Sequence, residues 1–353
     1  MKKFLILMLF FVLVFSIGFT VSAEDTLVED TDTYEGAVLY TDLPELLGKI
    51  PRPGEGLTIG FVAKAFENEF WGAVKTGVET QGEELKQDGI NITFDVRAAQ
   101  GESDEQGQAS LMNDMINKKY NAIIASPISD GNLVEATEKA KSAGIPVINT
   151  IGGFCQVMDV FVGPRHYHSG ELAAEWISNK LGADGGKVAV IMGMPKESAA
   201  RGRTQGFSDW FAANNPAITV VDSQNADWDR GKARDVMETL MKKYPDLKAI
   251  YANNDTMVMG ALEAVISAGK KDQILVVGND GTSEAIQSIK DGNLDATVNI
   301  YPVFAGKISV DIALRSLGGQ ELPKVIYTNQ AVIDSTNVDK TDEEVINWSP
   351  LQF

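Results

Sequence analysis

LTIGFVAKAFENEFWGAVKTGVETQGEELKQDGINITFDV, residues 57–96, decides the fold. Leu57–Val62 is a short, largely apolar run of the kind that forms a strand buried on both faces. Phe70–Gln87 is longer and amphipathic, which predicts a helix, and Ile92–Val96 returns to a strand. Strand, helix and strand in that order predict a parallel pair with its crossover helix on one face.

The same alternation runs on toward the C-terminus. A helix over Asp104–Asn117 places Leu111, Met112, Met115 and Ile116 on one side. It is followed by a strand at Ala122–Ala125, a helix at Leu133–Ala143 and a strand at Pro146–Asn149. After Val160–Val162 the series starts again, with helices predicted over Gly170–Lys180, Ala199–Asn214, Arg230–Lys243, Met257–Ala268 and Ser283–Asp291. The strands between and after them are Lys187–Ile191, Ile218–Val221, Ala249–Tyr251, Ile274–Val277 and Ala296–Ile300. Two such series predict an α/β protein of two doubly wound parallel-sheet lobes. A last helix at Phe304–Leu317 and a strand at Val325–Tyr327 fit either lobe.

Toward the N-terminus the character changes. Residues 24–56 form an acidic extension: Glu24–Gly36 reads as a flexible lead, Leu43–Ile50 as a short helix, and Pro51-Arg52-Pro53-Gly54 as a break. Residues 1–23 carry Lys2 and Lys3, an unbroken apolar run from Phe4 to Phe15, and small residues at Val21-Ser22-Ala23. That pattern predicts a secretory signal peptide cleaved after Ala23, with a periplasmic or secreted product. A retained anchor is the rival, but the apolar character fades at Ser16, short of the ~20 residues that span a bilayer. No Cys follows the run to take a lipid.

The chain has 31 basic and 49 acidic residues, a formal charge of −18, and loss of Lys2 and Lys3 takes it to −20. A charge of that sign repels phosphate backbones, which argues against nucleic acid as a partner. Cys155 is the one cysteine, so no internal disulfide forms. His166 and His168, two apart, suit one strand face, but no Cys or carboxylate cluster accompanies them; exposed loop histidines are the expectation, with no metal and no cofactor.

Open α/β sheets bind ligands beyond the carboxyl ends of their strands. After the first strand come Lys64, then Asn68 and the aromatic pair Phe70-Trp71 at a helix start. Such rings stack on the C–H face of a sugar, or else serve as core; Asn68 exchanges hydrogen bonds with hydroxyls. Trp228 sits in a loop just before the cap Asp229, where its burial needs a partner. Arg201-Gly202-Arg203, Asn253-Asn254-Asp255 and Asn279-Asp280-Gly281 end other strands. Arg, Asn and Asp at one sheet edge make a set for vicinal hydroxyls, although Asp255 and Asp280 could equally be caps.

The stretches at residues 67–71, 198–207, 226–230, 252–255 and 276–281 together resemble the ribose-type periplasmic sugar-binding proteins, in that family's order and spacing. The resemblance covers roughly residues 57–335. It implies a three-segment hinge crossing near Pro164, Ile300 and Tyr327, with lobe 1 at 57–164 plus 301–328 and lobe 2 at 165–300 plus 329–353. It implies a ligand between lobes that close over it. Asn68, Phe70 and Trp71 would contact that ligand from the first lobe, and Arg203, Trp228, Asn254 and Asp280 from the second. The implied partners are an ABC permease and a chemoreceptor, with the protein itself a monomer.

The sequence departs from that family at the hinge. Ile151-Gly152 stands where ribose-type members place Asp-Arg, and Ile300 where they place Gln. Sugar hydroxyls buried there without partners would cost about 1–3 kcal/mol each. The expected ligand is therefore not ribose but a deoxy sugar, another pentose or a polyol, with Asn149 or Asn299 as candidate replacements. A non-sugar such as a furanone or nucleoside is the alternative, toward which Lys64 at the pocket mouth would point, although a solvated lysine is the favoured expectation there. A repressor would need a basic helix-turn-helix that residues 1–56 do not offer. No nucleophile elbow or phosphate-binding glycine loop suggests an enzyme.

Overall fold

The computed structural model describes residues 31–346. The signal-peptide reading of residues 1–23 and the lead at residues 24–30 lie outside the described residues.

Leu57–Ala63 (β2), Ile92–Ala98 (β3), Ala122–Ala125 (β4), Val147–Thr150 (β5) and Val160–Gly163 (β6) build the first sheet, with Val38–Leu39 (β1) and Val325–Tyr327 (β12) added at one edge. The order is β1-β12-β6-β5-β4-β2-β3, and the pairings are parallel. The second sheet has Gly186–Met192 (β7), Ile218–Asn225 (β8), Leu247–Ala252 (β9), Leu275–Asp280 (β10), Ala296–Asn299 (β11) and Ala331–Asp334 (β13). Its order is β13-β11-β10-β9-β7-β8, parallel except for the edge pair β11–β13. Within each sheet the first five core strands follow the flavodoxin-like order, which reverses direction beside the first strand.

The helices between strands are Glu69–Gln87 (α2), Glu105–Asn117 (α3) and Val134–Ser142 (α4) in the first lobe, after the short Leu43–Leu47 (α1). His166–Leu181 (α5), Ser198–Asn214 (α6), Arg230–Lys243 (α7), Asp255–Ser267 (α8) and Ser283–Lys290 (α9) follow in the second. Pro302–Leu317 (α10) packs against α2 on the first sheet, and Asp342–Ile346 (α11) ends the described chain. Alternate strand residues enter opposite cores: Ala122 and Ile124 meet one helix layer, Ile123 and Ala125 the other. In the second sheet Ile250 and Ala252 divide from Ala249 and Tyr251 in the same way.

The chain crosses between sheets after β6, after β11 and after β12. Gln330 ties two crossings together, accepting from Arg165 N at 2.9 Å and donating to Arg165 O at 3.3 Å. Asn299 Oδ1 accepts from Tyr301 N at 2.7 Å in the third.

Residues 31–50 do not stand apart as a lead. β1 extends the first sheet, Leu43 and Ile50 enter its core, and Tyr40 donates to Asp311 at 2.7 Å. Thr31 O accepts from Tyr327 at 2.6 Å, and Asp32 accepts from the backbone N–H groups of Tyr167 and His168. The histidines are also placed differently from expectation: both lie in the first turn of α5, not on a strand or loop. His166 is buried, its imidazole held well below the usual range by burial and by Arg203 and Lys64 nearby. His168 is partly exposed beside Glu171 at 2.9 Å.

Candidate functional site in the cleft between the lobes

The strand-order reversals face each other across the cleft. From the first lobe, Lys64 follows β2, Phe70 and Trp71 open α2, Glu102 follows β3, and Ile151-Gly152 follow β5. From the second, Glu197 and Arg203 follow β7, Trp228 follows β8, Asn254 follows β9, and Asp280 ends β10. Together with Ala199 these side chains and backbones line one small cavity between the lobes.

The second-lobe wall is built by that lobe's own packing. Close approach of α5 and α6 sets the position of Arg203: a Cβ on Gly170 would lie 2.1 Å from Arg203 O, and one on Gly206 2.0 Å from Tyr167 O. Arg203 Nη1 donates to Asn253 O at 2.6 Å and to Asp280 Oδ1 at 3.3 Å. Asn253 Oδ1 accepts from Gly193 N and Thr204. Asn254 caps α8 through Met257 N at 2.9 Å.

Asp280 has φ +135°, a strained value for a residue with a Cβ. Burial pushes its carboxyl up to about 8; Arg203 opposes that shift and Asp255 adds to it. Asp255 lies below, accepting from Gly281 N, Thr282 N and Thr297 at 2.7–2.9 Å, and burial pushes it to about 6. Trp228 is also in the left-handed region, φ +64°, and donates from Nε1 to Glu197 Oε2 at 2.9 Å. Its ring fills the space over Gly193, where a Cβ would sit 2.2 Å away.

On the first-lobe wall, Asn68 caps α2 by accepting from Phe70 N at 3.1 Å. Glu102 Oε1 accepts from Asn68 Nδ2 at 2.8 Å and Trp71 Nε1 at 3.0 Å. Burial raises its carboxyl, with Lys64 and Asn68 opposing. Phe70 and Trp71 meet edge to face, centroids 4.8 Å apart. Lys64 Nζ reaches Glu197 Oε1 of the other lobe at 2.5 Å and lies 5.4 Å and 5.9 Å from the ring centres of Trp71 and Trp228. Ile151 has φ +52°, unusual for a β-branched residue, and packs with the first core while lining the cavity.

Several contacts cross the cleft outside the cavity. Glu69 accepts from Ser283 N at 2.9 Å and Glu284 N at 3.3 Å at the start of α9. Asp130 accepts from Ser198 N at 3.1 Å at the start of α6 and pairs with Arg201 at 2.7 Å. Two carboxylates of one lobe thus sit at helix N-termini of the other, where free N–H groups and the helix dipole favour negative charge. Glu105–Lys196 adds a third crossing pair.

The structure brings Lys64, Phe70, Trp71, Arg203, Trp228, Asn254 and Asp280 to one cavity, and Asn68 to its rim through Glu102. It does not bring Asn149 or Asn299 to the cavity wall. Asn149 accepts from Cys155 N at 2.8 Å and donates to Ile151 O at 3.1 Å, and Asn299 holds Tyr301 N. Both shape hinge-side backbone. Sequence reading missed Glu102 and Glu197. Glu197 stands immediately before the helix that carries Arg203, and Glu102 lies in the loop after β3, so a strict reading of every strand end would have included both.

A periplasmic binding protein domain matches residues 59–321. The chain therefore belongs to the periplasmic binding protein family whose members serve ABC importers, and its role is binding rather than catalysis. It is 36% identical over 271 residues to the ribose import binding protein of Bacillus subtilis (strain 168), covering 76% of this chain and 84% of that one. An ABC transporter periplasmic solute binding protein from Actinobacillus succinogenes 130z with bound D-allose superposes with a TM-score of 0.75 at 29% identity, over 81% of this chain and all of that one. A solute binding protein from Agrobacterium vitis with bound D-fucose gives 0.73 at 28% identity, over 82% and 99%. The resemblance found in the five motifs is thus borne out over the whole body. Membership in this family implies export to the periplasm, and no described helix is long and apolar enough to cross a membrane.

Proposed function

We propose that this chain captures a small sugar or polyol between its lobes and hands it to an ABC permease in the membrane. The observation that carries this reading is one cavity faced by aromatic rings from both lobes and by a buried Arg203–Asp280 pair at 3.3 Å. Trp71 and Trp228 offer faces for sugar C–H groups. Arg203 donates to ligand oxygens, Asp280 accepts from hydroxyls, and Asn254 does both. Phe70 packs under Trp71, and Asn68 contacts the ligand at the rim. The first lobe is residues 57–164 with 301–328, joined by the N-terminal segment 31–50, and the second is residues 165–300 with the C-terminal segment from residue 329. The exported chain is cleaved after Ala23, works as a monomer, and also engages a chemoreceptor.

The ligand is not ribose. Ile151 and Gly152 give the hinge side of the cavity no side-chain hydrogen-bonding group, and Asn149 and Asn299 are engaged elsewhere. A sugar lacking a hydroxyl at that end, or a shorter polyol, leaves fewer groups unsatisfied.

A thermal-shift screen of the mature chain across pentoses, hexoses, deoxy sugars and polyols tests this. A true ligand raises the melting temperature by mass action. A screen without any sugar or polyol hit overturns the reading, and ribose as the tightest hit overturns its ligand assignment.

A further inference from the structure

The sugar-binding reading leaves three charged groups without a role: Glu102, Glu197 and the free valences of Lys64. All line the cavity wall; Lys64 and Glu197 are buried and Glu102 is half-buried. Each carboxylate is oriented by the indole N–H of one cavity tryptophan, Glu102 by Trp71 and Glu197 by Trp228, from opposite lobes. Lys64 lies between them and uses one of its three donors, on Glu197. The rest of the ammonium faces the rings of Trp71 and Trp228, and Glu102 makes its bonds to Asn68 and Trp71 through Oε1 alone. Groups of this kind are costly to bury unless something polar completes them.

Their placement is tied to the hinge-side departures. A Cβ on Gly152 would lie 3.1 Å from Lys64 Cε, 3.5 Å from its Nζ and 2.9 Å from Pro127 O. Lys64 thus packs directly over Gly152, where even a Cβ would press on Pro127 O and make the lysine stem give way by a few tenths of an ångström. The absence of a side chain at Gly152 and the presence of a buried ammonium therefore belong to one arrangement. Lys64 places a charge beside Gly152, and Glu102 borders the outer groove between the lobes.

We infer that Glu102 and Glu197, bridged by Lys64, are specificity-determining residues that read a pair of ligand hydroxyls at the rim end of the cavity. The hydroxyl-poor end of the ligand then lies against Ile151. This deepens the sugar-binding reading and rests on it. Two carboxylates accept two hydroxyl protons, and the ammonium donates to the oxygens between them. The recognised class is a polyhydroxy compound with vicinal hydroxyls at one end and a deoxy or truncated other end.

The test is calorimetric titration of the mature chain with D-allose, D-fucose, D-ribose and erythritol, repeated on Glu102→Gln and Glu197→Gln. Both substitutions keep shape and remove charge, and an unchanged ligand-free melting temperature confirms folding. Glu197→Asp serves if Glu197→Gln does not fold. The expected result is a loss of about tenfold or more for the preferred probe, with a smaller loss for the others, so that the preference narrows. Affinities unchanged in both variants, while the wild type binds, overturn this inference and leave the sugar reading intact. An equal loss on all four probes assigns the groups to lobe closure and also overturns it. A wild type that binds none of the four, and no other sugar or polyol, overturns both.

Discussion

The two walls of the cleft are held in different ways. On the second lobe, Arg203 is fixed by Asn253 and Asp280, Asn254 by the start of α8, and Trp228 by Glu197 and Gly193, all from the same lobe. On the first lobe, Glu102 orders Asn68 and Trp71, but Lys64 finds its carboxylate only across the cleft. Asn68 likewise accepts from Thr256 of the second lobe at 3.2 Å. The second wall is preorganised, whereas the first is completed when the lobes meet. Preorganised groups do not have to be ordered on binding, so affinity concentrates there.

The largest effect should come from breaking the preorganised wall at its centre. Asp280→Ala leaves Arg203 buried beside Asn253 O without its carboxylate. The ligand loses its acceptor, and a hydrogen bond to a charged group is worth about 1.5–3 kcal/mol. Titration with the tightest sugar of the screen should show binding reduced by about thirtyfold or more. A loss as small as that for a first-wall residue would erase the contrast between the walls.

Trp228→Ala comes next. It removes a stacking face that is buried to 6% exposure and leaves the Glu197 Oε2 without its donor. Binding should weaken by about tenfold or more, with the fold retained because Trp228 lines the cleft cavity. Unchanged affinity would return this side chain to a packing role.

The pH dependence sharpens the same contrast. Asp280 titrates near 8 and Asp255 near 6 in the folded protein, both raised mainly by burial. The unfolded values are near 3.9. A raised carboxyl means that the folded chain holds more protons than the unfolded chain between those limits. Stability of the ligand-free protein therefore falls as pH rises from about 4 to about 8. Ligand hydroxyls donate to the ionised form of Asp280, so binding favours loss of its proton. Affinity should rise with pH through this window, and the binding enthalpy should vary with buffer ionisation heat. Asp280→Asn should abolish the proton release. Proton release that persists in that variant would place the titrating group elsewhere.

Much of this was legible in the sequence, for identifiable reasons. Strand and helix alternation survives in a single chain because parallel strands are apolar on both faces and their crossover helices on one. The site residues were legible where they begin helices or end strands, since chain order alone puts them at one sheet edge. Glu102 and Glu197 also follow strands, but a lone loop carboxylate reads as solvated until its partners, Asn68 and Trp71 for one and Lys64 of the other lobe for the other, are in place. Asn149 and Asn299 were misplaced because a short amide beside a turn bonds its own backbone as readily as a ligand. The two-residue strand Val38–Leu39 is too short to give any period, so residues 31–50 read as separate from the body they join.

That N-terminal segment supplies the smallest predicted effect. Asp32 accepts from Tyr167 N and His168 N in the first turn of α5, whose own N-cap residue, Arg165, offers no side-chain bond. The same stretch is anchored to the first sheet through β1 and through Tyr327 to Thr31 O. It therefore joins the first sheet to the second-lobe helix that packs on α6 behind Arg203. Asp32→Ala removes a helix cap worth about 1 kcal/mol, which lowers the melting temperature by about 1–2 °C in a chain of this size. Because α5 supports the preorganised wall, the ligand-bound protein should lose as much as the ligand-free one, and affinity should change by less than about threefold. A loss of affinity well beyond that, at unchanged melting temperature, would mean that this segment sets how the lobes meet rather than how firmly one wall is held.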